Sequence, residues 1–308
     1  MIGNDVRICK SEDKCKEKHK ELLRNINRSK NLKTVTNCKW QGVIIKTIIE
    51  DDTLLKGNFD WLSRWKSCPT NTISEVMGLL YQTLDTKCYR KHLNTPGNAH
   101  ELSETTCRLC NKGNESVKHL LSNCGLLVKK VYTKRHNDAL KTFFFEVLHK
   151  FGFIDQIPPW FSNENIKPEY ENNDYIVHWN MPEFSGKDDE TLKDRATPDG
   201  KIVLKKEKKI YLIEQTITWI TNREDKFVFK KEKYEEIQTF LRLENPGYRV
   251  DQITLVMDVF GGFSHNLREQ IQKVLDKDIT SRVIRKMQKS VISNEAHLSR
   301  VFKLRTKQ

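Results

Sequence analysis

The sequence predicts a mixed α/β protein in which a small sheet is flanked by helices. Apolar residues between 71 and 90, and again between 127 and 150, recur at helical spacing. From residue 198 onward, short apolar runs alternate with charged turns and amphipathic stretches, which is typical of strands connected by helices. These two observations favour an α+β arrangement with helices before and around the sheet.

The composition indicates a polyanionic partner. The chain has 308 residues and a formal net charge of +13, so nucleic acid is the plainest partner, although a generally basic protein is the alternative. Eight irregularly spaced cysteines do not suggest a disulfide framework and indicate a reducing, intracellular compartment. Neither a secretory signal nor a bilayer-spanning apolar run is visible, so no membrane partner is expected. The oligomeric state stays open.

The chain divides into three predicted regions. Residues 1–100 form a helical N-terminal and linker region, in which 71–90 have the spacing of an amphipathic helix with Thr72 as its N-cap. Residues 101–126 form a short segment that is rich in cysteine. Residues 127–308 form the main α/β domain, which ends in a basic helix.

Within the main domain, helices and strands follow one another in a recognisable order. A helix over 127–150 ends at Gly152, and the proline-containing stretch 153–195 is predicted to be loops. The segments GKIVL and KIYLIEQTITW are predicted to be two strands joined by the charged turn 205–208. The remaining elements are a helix, a strand and two closing helices, at about residues 224–243, 251–259, 265–276 and 280–304.

The cysteine-rich segment has the residue types and spacing of a metal site. The candidate ligands, separated by two, eight and four residues, are Cys107, Cys110, His119 and Cys124. Three thiolates and one imidazole make up a tetrahedral ligand set that structural Zn²⁺ sites use. The alternative interpretation is that the four residues are buried for unrelated reasons and bind no metal. One regular helix cannot turn both His119 and Cys124 to one ion, so the helix should end near Asn123, with Gly125 permitting the exit. The segment predicts a structural zinc knuckle that also suits contact with nucleic acid.

Two acidic residues are candidates for a second metal site. A turn at 205–208 makes Leu204 face Lys209. The same register places Asp199 directly across from Glu214 on one face of the hairpin. Like charges so close are destabilising without a cation between them, and Mg²⁺ or Mn²⁺ is the natural counterion for carboxylates. The alternative is two separate salt bridges with nearby lysines, because hairpin registers inferred from sequence slip easily.

Basic residues near these acids are candidates for phosphate contacts. Lys230 and Lys233 on the following helix could stabilise a pentavalent phosphate, with a solvated helical face as the alternative. Arg135 could clamp a phosphate, and His136 could be a ligand, a base or a structural residue. The full set of candidate nucleic-acid contacts, on the helix after the knuckle and on the closing helix, is Arg135, His136, Asn137, Arg285, Lys286 and Lys289.

The order of these motifs resembles a known family. Over about residues 100–260, the knuckle is followed by an Arg-His-Asn helix, then Pro198-Asp199, Glu214, and a Lys-x-x-Lys-Tyr sequence that ends at Tyr234. This order is similar to the C-terminal region of site-specific retrotransposon polyproteins that lack long terminal repeats and carry a restriction-like endonuclease. The motifs of a reverse-transcriptase palm are not visible in this chain.

The resemblance implies a restriction-endonuclease-like fold and metal-dependent cleavage of DNA in the nucleus. Asp199 and Glu214 would hold Mg²⁺ or Mn²⁺. Lys230 or Lys233 would replace the lysine that simpler nucleases keep two positions after the second acid, where this chain has Thr216. A zinc-containing nucleic-acid binding module without catalysis is the alternative function, and RNA stays open as a second partner.

Overall fold

A computed structural model describes residues 12–55, 58–59, 68–93, 104–180 and 197–306. These residues form a five-stranded mixed sheet with helices packed on both faces and a cysteine–histidine cluster near its end. The predicted class, a small mixed sheet flanked by helices and preceded by a helical region, is confirmed. The second part of the predicted loop stretch, 181–196, lies outside the described residues.

Helices make up most of the described chain. They are α1 (Glu12–Asn37), α2 (Val43–Glu50), α3 (Thr70–Leu80), α4 (Lys87–Leu93), α5 (Val117–Ser122), α6 (Gly125–Leu127), α7 (Thr133–Lys150), α8 (Arg223–Lys233), α9 (Glu235–Glu244), α10 (His265–Gln272) and α11 (Lys277–Thr306). A π-helical turn, Val128–Tyr132, joins α6 to α7. Within the described ranges, no helix combines the length and apolar content that crossing a membrane requires.

The single helix predicted over 71–90 is two helices, α3 and α4. The chain turns between them at Gln82, which has a positive φ of 56°. The Trp40 indole N–H donates to the backbone carbonyl of Gln82 at 3.0 Å, and the side-chain amide of Gln82 donates to the backbone carbonyl of Trp40 at 2.8 Å. This pair of long-range hydrogen bonds fixes the turn. The first helix begins at Thr70, so Thr72 lies inside it and is not its N-cap.

The sheet has the strand order β1-β2-β3-β4-β5. Its strands are β1 (Glu169–Glu171), β2 (Tyr175–Trp179), β3 (Gly200–Leu204), β4 (Lys209–Thr218) and β5 (Arg249–Asp258). The first four strands are antiparallel neighbours, and β5 runs parallel to β4. In the β3–β4 hairpin Leu204 pairs with Lys209, which is the predicted register. The strands β1 and β2 were predicted to be loops; they are short, and only Val177 of their residues is buried.

Both faces of the sheet are covered. Phe144 of α7, Ile213 and Leu255 belong to a cluster that also includes residues of α10 and α11. On the opposite face, residues such as Leu212 of β4 and Leu241 of α9 form a smaller cluster. A third cluster joins the buried Cys107 and Cys124 to α3 and to the C-terminal half of α11. The cysteine-rich segment therefore shares its apolar core with the closing helix.

Gly200, next to Asp199, occupies a position with no space for a side chain. A Cβ atom there would lie 2.3 Å from Phe144 Cζ and 2.7 Å from the His178 carbonyl oxygen. We expect Gly200→Ala to lower the free energy of unfolding in urea by about 1–3 kcal/mol, because the ring and the neighbouring strand have to move. Gly125→Ala is the control, because a Cβ there meets nothing within 4 Å. Equal losses in the two variants would contradict this explanation.

Candidate metal and active sites

The four predicted zinc ligands come together in the folded chain. The ligand atoms of Cys107, Cys110, His119 and Cys124 all lie within 4.8 Å of one another. Cys110 Sγ is 3.3 Å from His119 Nε2. In the described part of the chain, no other group of three or more Cys, His, Asp or Glu side chains has such an arrangement. The donor set suits a closed tetrahedral site, so the cluster could bind a metal such as zinc.

Local backbone structure brings these ligands together. Gly113 has a positive φ of 65°, and a Cβ on it would lie 3.3 Å from His119 Nδ1. The Ser116 hydroxyl caps α5 by accepting a hydrogen bond from the His119 N–H at 3.2 Å. The helix ends at Ser122, so Cys124 leaves the helical path near the predicted point. Gly125 does not have a positive φ and simply begins α6, so the exit does not depend on it.

The protonation of the ligands depends on their burial. Burial raises the pKa of Cys107, and burial together with the nearby Cys107 charge raises the pKa of Cys124 to about 12. Burial lowers the pKa of His119, which favours the neutral imidazole that metals bind. Because metal binds thiolates, binding has to displace protons from these thiols, and its affinity should rise with pH.

Two buried polar groups connect the cluster to its neighbours. The Tyr132 hydroxyl donates to the Leu120 carbonyl at 2.6 Å and accepts from the Cys124 N–H at 3.1 Å. The Glu115 carboxylate accepts from the Arg108 guanidinium at 2.7 Å and from the Lys87 N–H at 2.8 Å. Tyr132 immediately precedes α7, so the cluster helps to set where that helix begins.

Asp199 and Glu214 lie at the same end of the β3–β4 hairpin. Gly200 pairs with Ile213, and the next step of the register sets Asp199 opposite Glu214. Burial and, after it, the charge of Asp199 raise the pKa of Glu214. The two carboxyl groups are therefore close enough to interact, as the sequence predicts.

Asp199 contacts helix α7 and strand β4. Its Oδ2 atom accepts a hydrogen bond from the Gln215 N–H at 2.6 Å and lies 3.0 Å from His136 Nε2. The same imidazole nitrogen is 3.1 Å from the Gln215 carbonyl oxygen. Burial opposes a charged imidazole, but the hydrogen bond and the charge of Asp199 outweigh it and raise the pKa of His136 to about 9. A protonated His136 is thus the cation that faces Asp199 at neutral pH.

Glu214 contacts helix α8 and the residue that follows it. Lys230 forms an ion pair with Oε1 of Glu214, and the Tyr234 hydroxyl donates to Oε2 at 2.7 Å. Lys233 Nζ donates to the Tyr234 hydroxyl at 2.9 Å, and burial lowers the pKa of Lys233. Lys230 therefore reaches the acid directly and Lys233 reaches it through Tyr234. The sequence did not predict the interruption between α8 and α9 at Tyr234, which buries this ring.

The residues around Asp199 and Glu214 could hold a hard divalent ion. Two carboxylates and the Gln215 carbonyl offer oxygen ligands, and Mg²⁺ commonly takes one or two carboxylates together with water and phosphate. Two buried hydroxyl oxygens on the Glu214 face of the sheet, Thr216 Oγ1 and Thr254 Oγ1, have no hydrogen-bond partner among the described residues. A divalent ion would compete with His136 and Lys230 for the two carboxylates.

Arg135 does not have the predicted phosphate contact. Its side chain is buried, and its guanidinium pairs with Glu295 of α11 and donates to the Leu121 carbonyl at 2.8 Å. Arg135 precedes His136 on the helix and points about 100° away from it, toward α11. Its role is therefore structural, since it joins α7 to α11 by a buried ion pair.

The other predicted nucleic-acid contacts have different surroundings. His136 contacts Asp199 and does not lie on an open basic surface, and Asn137 Oδ1 lies 3.0 Å from His136 Nδ1. On α11, Arg285 is exposed and Lys289 is half-buried, whereas Lys286 pairs with Glu146 at 2.7 Å. Within the described ranges, none of these three α11 residues forms a hydrogen bond or an ion pair with either of the two acids.

Zinc binding should be visible in metal content and in stability. We expect about one zinc ion per chain in the purified protein, and we expect Cys110→Ser to lower both the zinc content and the Tm, the latter by roughly 10 °C. Elemental analysis and thermal unfolding measure the two quantities. Cys88→Ser is the matched control, because Cys88 lies outside the cluster. Soluble wild-type protein with no bound metal would rule out the zinc assignment.

The pKa of His136 makes stability depend on pH. The folded-state pKa is about 9, above the usual 6.5. The contribution of the His136–Asp199 pair to the free energy of unfolding is therefore fully present below pH 6.5 and is lost as pH rises through 9. Without added divalent metal, the wild type should be more stable than His136→Gln by up to about 3 kcal/mol at pH 6, and the gap should close above pH 9. Urea unfolding at several pH values measures this. His149→Gln, an exposed histidine of the same helix, should show no such trend; a pH-independent gap for His136→Gln would contradict the assignment.

Comparison with known proteins adds no family to this description. The chain matches no protein-family model and no curated protein sequence. Two side-chain clusters are its candidate functional sites, namely a Cys₃His set and a pair of acids that each contact a cation.

Proposed function

We propose that this chain is a metal-dependent DNA endonuclease with a restriction-like fold. The observation that carries the proposal is the meeting of Asp199 and Glu214 at one end of the β3–β4 hairpin, with Lys230 paired to the second acid. Two acids that bind a divalent ion, beside a lysine that stabilises phosphate charge, supply what phosphodiester hydrolysis requires. The net charge of +13 favours association with the DNA backbone.

Each group at the site has its own task in this proposal. Asp199, Glu214 and the Gln215 carbonyl would hold Mg²⁺ or Mn²⁺, which when bound would supply Lewis-acid chemistry at the phosphate. Lys230 places positive charge where the pentavalent phosphate forms, while Tyr234 orients Glu214. Water attacks phosphorus and the P–O3′ bond breaks, so the nicked strand has a 3′ hydroxyl and a 5′ phosphate.

We also propose an evolutionary origin and a cellular location for this chain. The order of the cysteine–histidine segment, the Arg-His-Asn helix, the acids and the lysines is similar to that in retrotransposon polyproteins. We therefore infer a retrotransposon-derived protein that acts on DNA in the nucleus. The five-stranded mixed sheet supports the restriction-like fold, and the Cys₃His cluster supports a zinc knuckle with a structural role.

A zinc-containing nucleic-acid binding module without catalysis is the second candidate. The observation that favours it is that Lys230 and Tyr234 already contact the two carboxylate oxygens of Glu214. An acid whose oxygens both have protein partners is stable in the fold without a metal. This candidate predicts that DNA is bound and is not cut.

Nicking of supercoiled plasmid DNA distinguishes the two candidates. Zinc-loaded protein with Mg²⁺ or Mn²⁺ should nick the plasmid, and Asp199→Asn should slow nicking by at least about a hundredfold, because the ion loses a ligand. Asp276→Asn is the control, because this exposed acid pairs with Lys150 and lies on the segment before α11. Equal nicking by Asp199→Asn would refute the catalytic assignment, and DNA binding by the wild type without nicking would favour the second candidate.

A further inference from the structure

Helix α8 has the reverse of the usual arrangement of polar and apolar residues. Phe227, Val228 and Phe229 occupy its middle, yet its one buried residue is Arg223. Val228 and Phe229 are 51% and 54% exposed and Phe227 is half-buried, and none of the three belongs to an apolar cluster of the described residues. A surface helix ordinarily turns its apolar residues toward the core. Outward aromatic residues therefore indicate an external partner.

Charged residues dock α8 against the rest of the protein. Arg223 pairs with Asp51 and Asp258, and Lys230 pairs with Glu214. The Lys230 carbonyl also accepts a hydrogen bond from the Gln252 amide at 2.9 Å. Phe229 takes no part in these contacts and belongs to no apolar cluster of the described residues, so core packing does not account for this ring.

One side of α8 extends from the acids to an exposed aromatic ring. Four residues at helical spacing share this side, namely Lys226, Phe229, Lys230 and Lys233. Lys230 contacts Glu214, and Lys233 contacts the Tyr234 hydroxyl. A strand whose phosphate lies at the acids therefore has the Phe229 ring beside its neighbouring nucleotide.

Each aromatic ring of α8 has an ammonium group next to it. Lys226 Nζ is 5.2 Å from the centre of the Phe229 ring, and Lys231 Nζ is 5.5 Å from the centre of the Phe227 ring. A flat apolar ring beside a cation complements a nucleotide, which presents a flat base beside a phosphate. Proteins bind single-stranded nucleic acid with this combination of stacking and positive charge.

We propose that this side of α8 (Lys226, Phe229, Lys230 and Lys233) binds unpaired nucleotides that flank the phosphodiester at Asp199 and Glu214. Bases inside an intact duplex have both faces covered by their neighbours, so stacking on phenylalanine requires unpaired or terminal bases. The preferred substrate is accordingly a single strand, a bubble or a flap. The inference rests on the proposed active site for its position, but it concerns binding and is tested without cleavage.

Fluorescence anisotropy with a short labelled single strand tests the proposal. The titration uses zinc-loaded, full-length protein without added Mg²⁺, and a second strand of equal length with abasic sites keeps the phosphates but lacks bases. The variant Phe229→Ala should bind the normal strand at least about fivefold more weakly, the effect of losing one base stack. Its affinity for the abasic strand should equal that of the wild type.

Two further variants make the result specific. Phe229→Trp should keep the affinity, because the larger ring also stacks. Phe161→Ala should have no effect, because Phe161 is 69% exposed and is not part of α8. Since Phe229 is 54% exposed and belongs to no apolar cluster of the described residues, all variants should keep the wild-type Tm.

Two results would overturn the inference. They are an unchanged affinity of the Phe229→Ala variant for the normal strand, or an equal loss on the abasic strand. In the first case, sedimentation tests whether the wild type forms dimers that the variant cannot form, which would assign the surface to a second copy of this chain. Base-dependent binding without any nicking would support the inference and reject the nuclease function, so the two failures are distinguishable.

Discussion

Two neighbouring carboxylates at one end of a small sheet determine where the helices on its two faces must come together. Ionised together, Asp199 and Glu214 destabilise each other unless positive charge is close. The protein provides it from two directions, with His136 of α7 at Asp199 and Lys230 of α8 at Glu214. Helix α7 packs on one face of the sheet and α9, which follows α8, packs on the other. The charge balance thus requires both helical layers to meet at the same end of the hairpin.

The position of α7 is set by contacts far from the acids. Tyr132, at the start of the helix, bonds to the backbone of the Cys₃His segment, and Arg135 pairs with Glu295 of the closing helix. A buried ion pair of this kind is strongly destabilising to break because the remaining charge stays buried. The Cys₃His segment and the buried pair therefore act together on the helix that carries His136. In the proposed endonuclease, zinc bound at the cysteines would contribute by positioning α7 and not by chemistry.

Local patterns were sufficient to predict the hairpin register and the four cysteine–histidine ligands. Alternating apolar residues and a charged turn determine how Leu204 meets Lys209, and ligand spacing along the chain identifies the cluster. Contacts between distant segments were not predictable in this way. Arg135 pairs with Glu295, which lies 160 residues further along the chain, and the sequence alone does not reveal this partner. Arg135 was for that reason predicted to contact phosphate. The strands β1 and β2 bury too few residues to give a clear alternation.

The central claim is that Asp199 and Glu214 together hold one divalent ion. Titration of zinc-loaded protein with Mn²⁺, followed by the electron paramagnetic resonance signal of the free ion, counts bound ions directly. The account predicts one Mn²⁺ ion per wild-type chain, and loss of that ion in both Asp199→Asn and Glu214→Gln. Wild-type protein that leaves all the Mn²⁺ free, or variants that bind as much as the wild type, would contradict it.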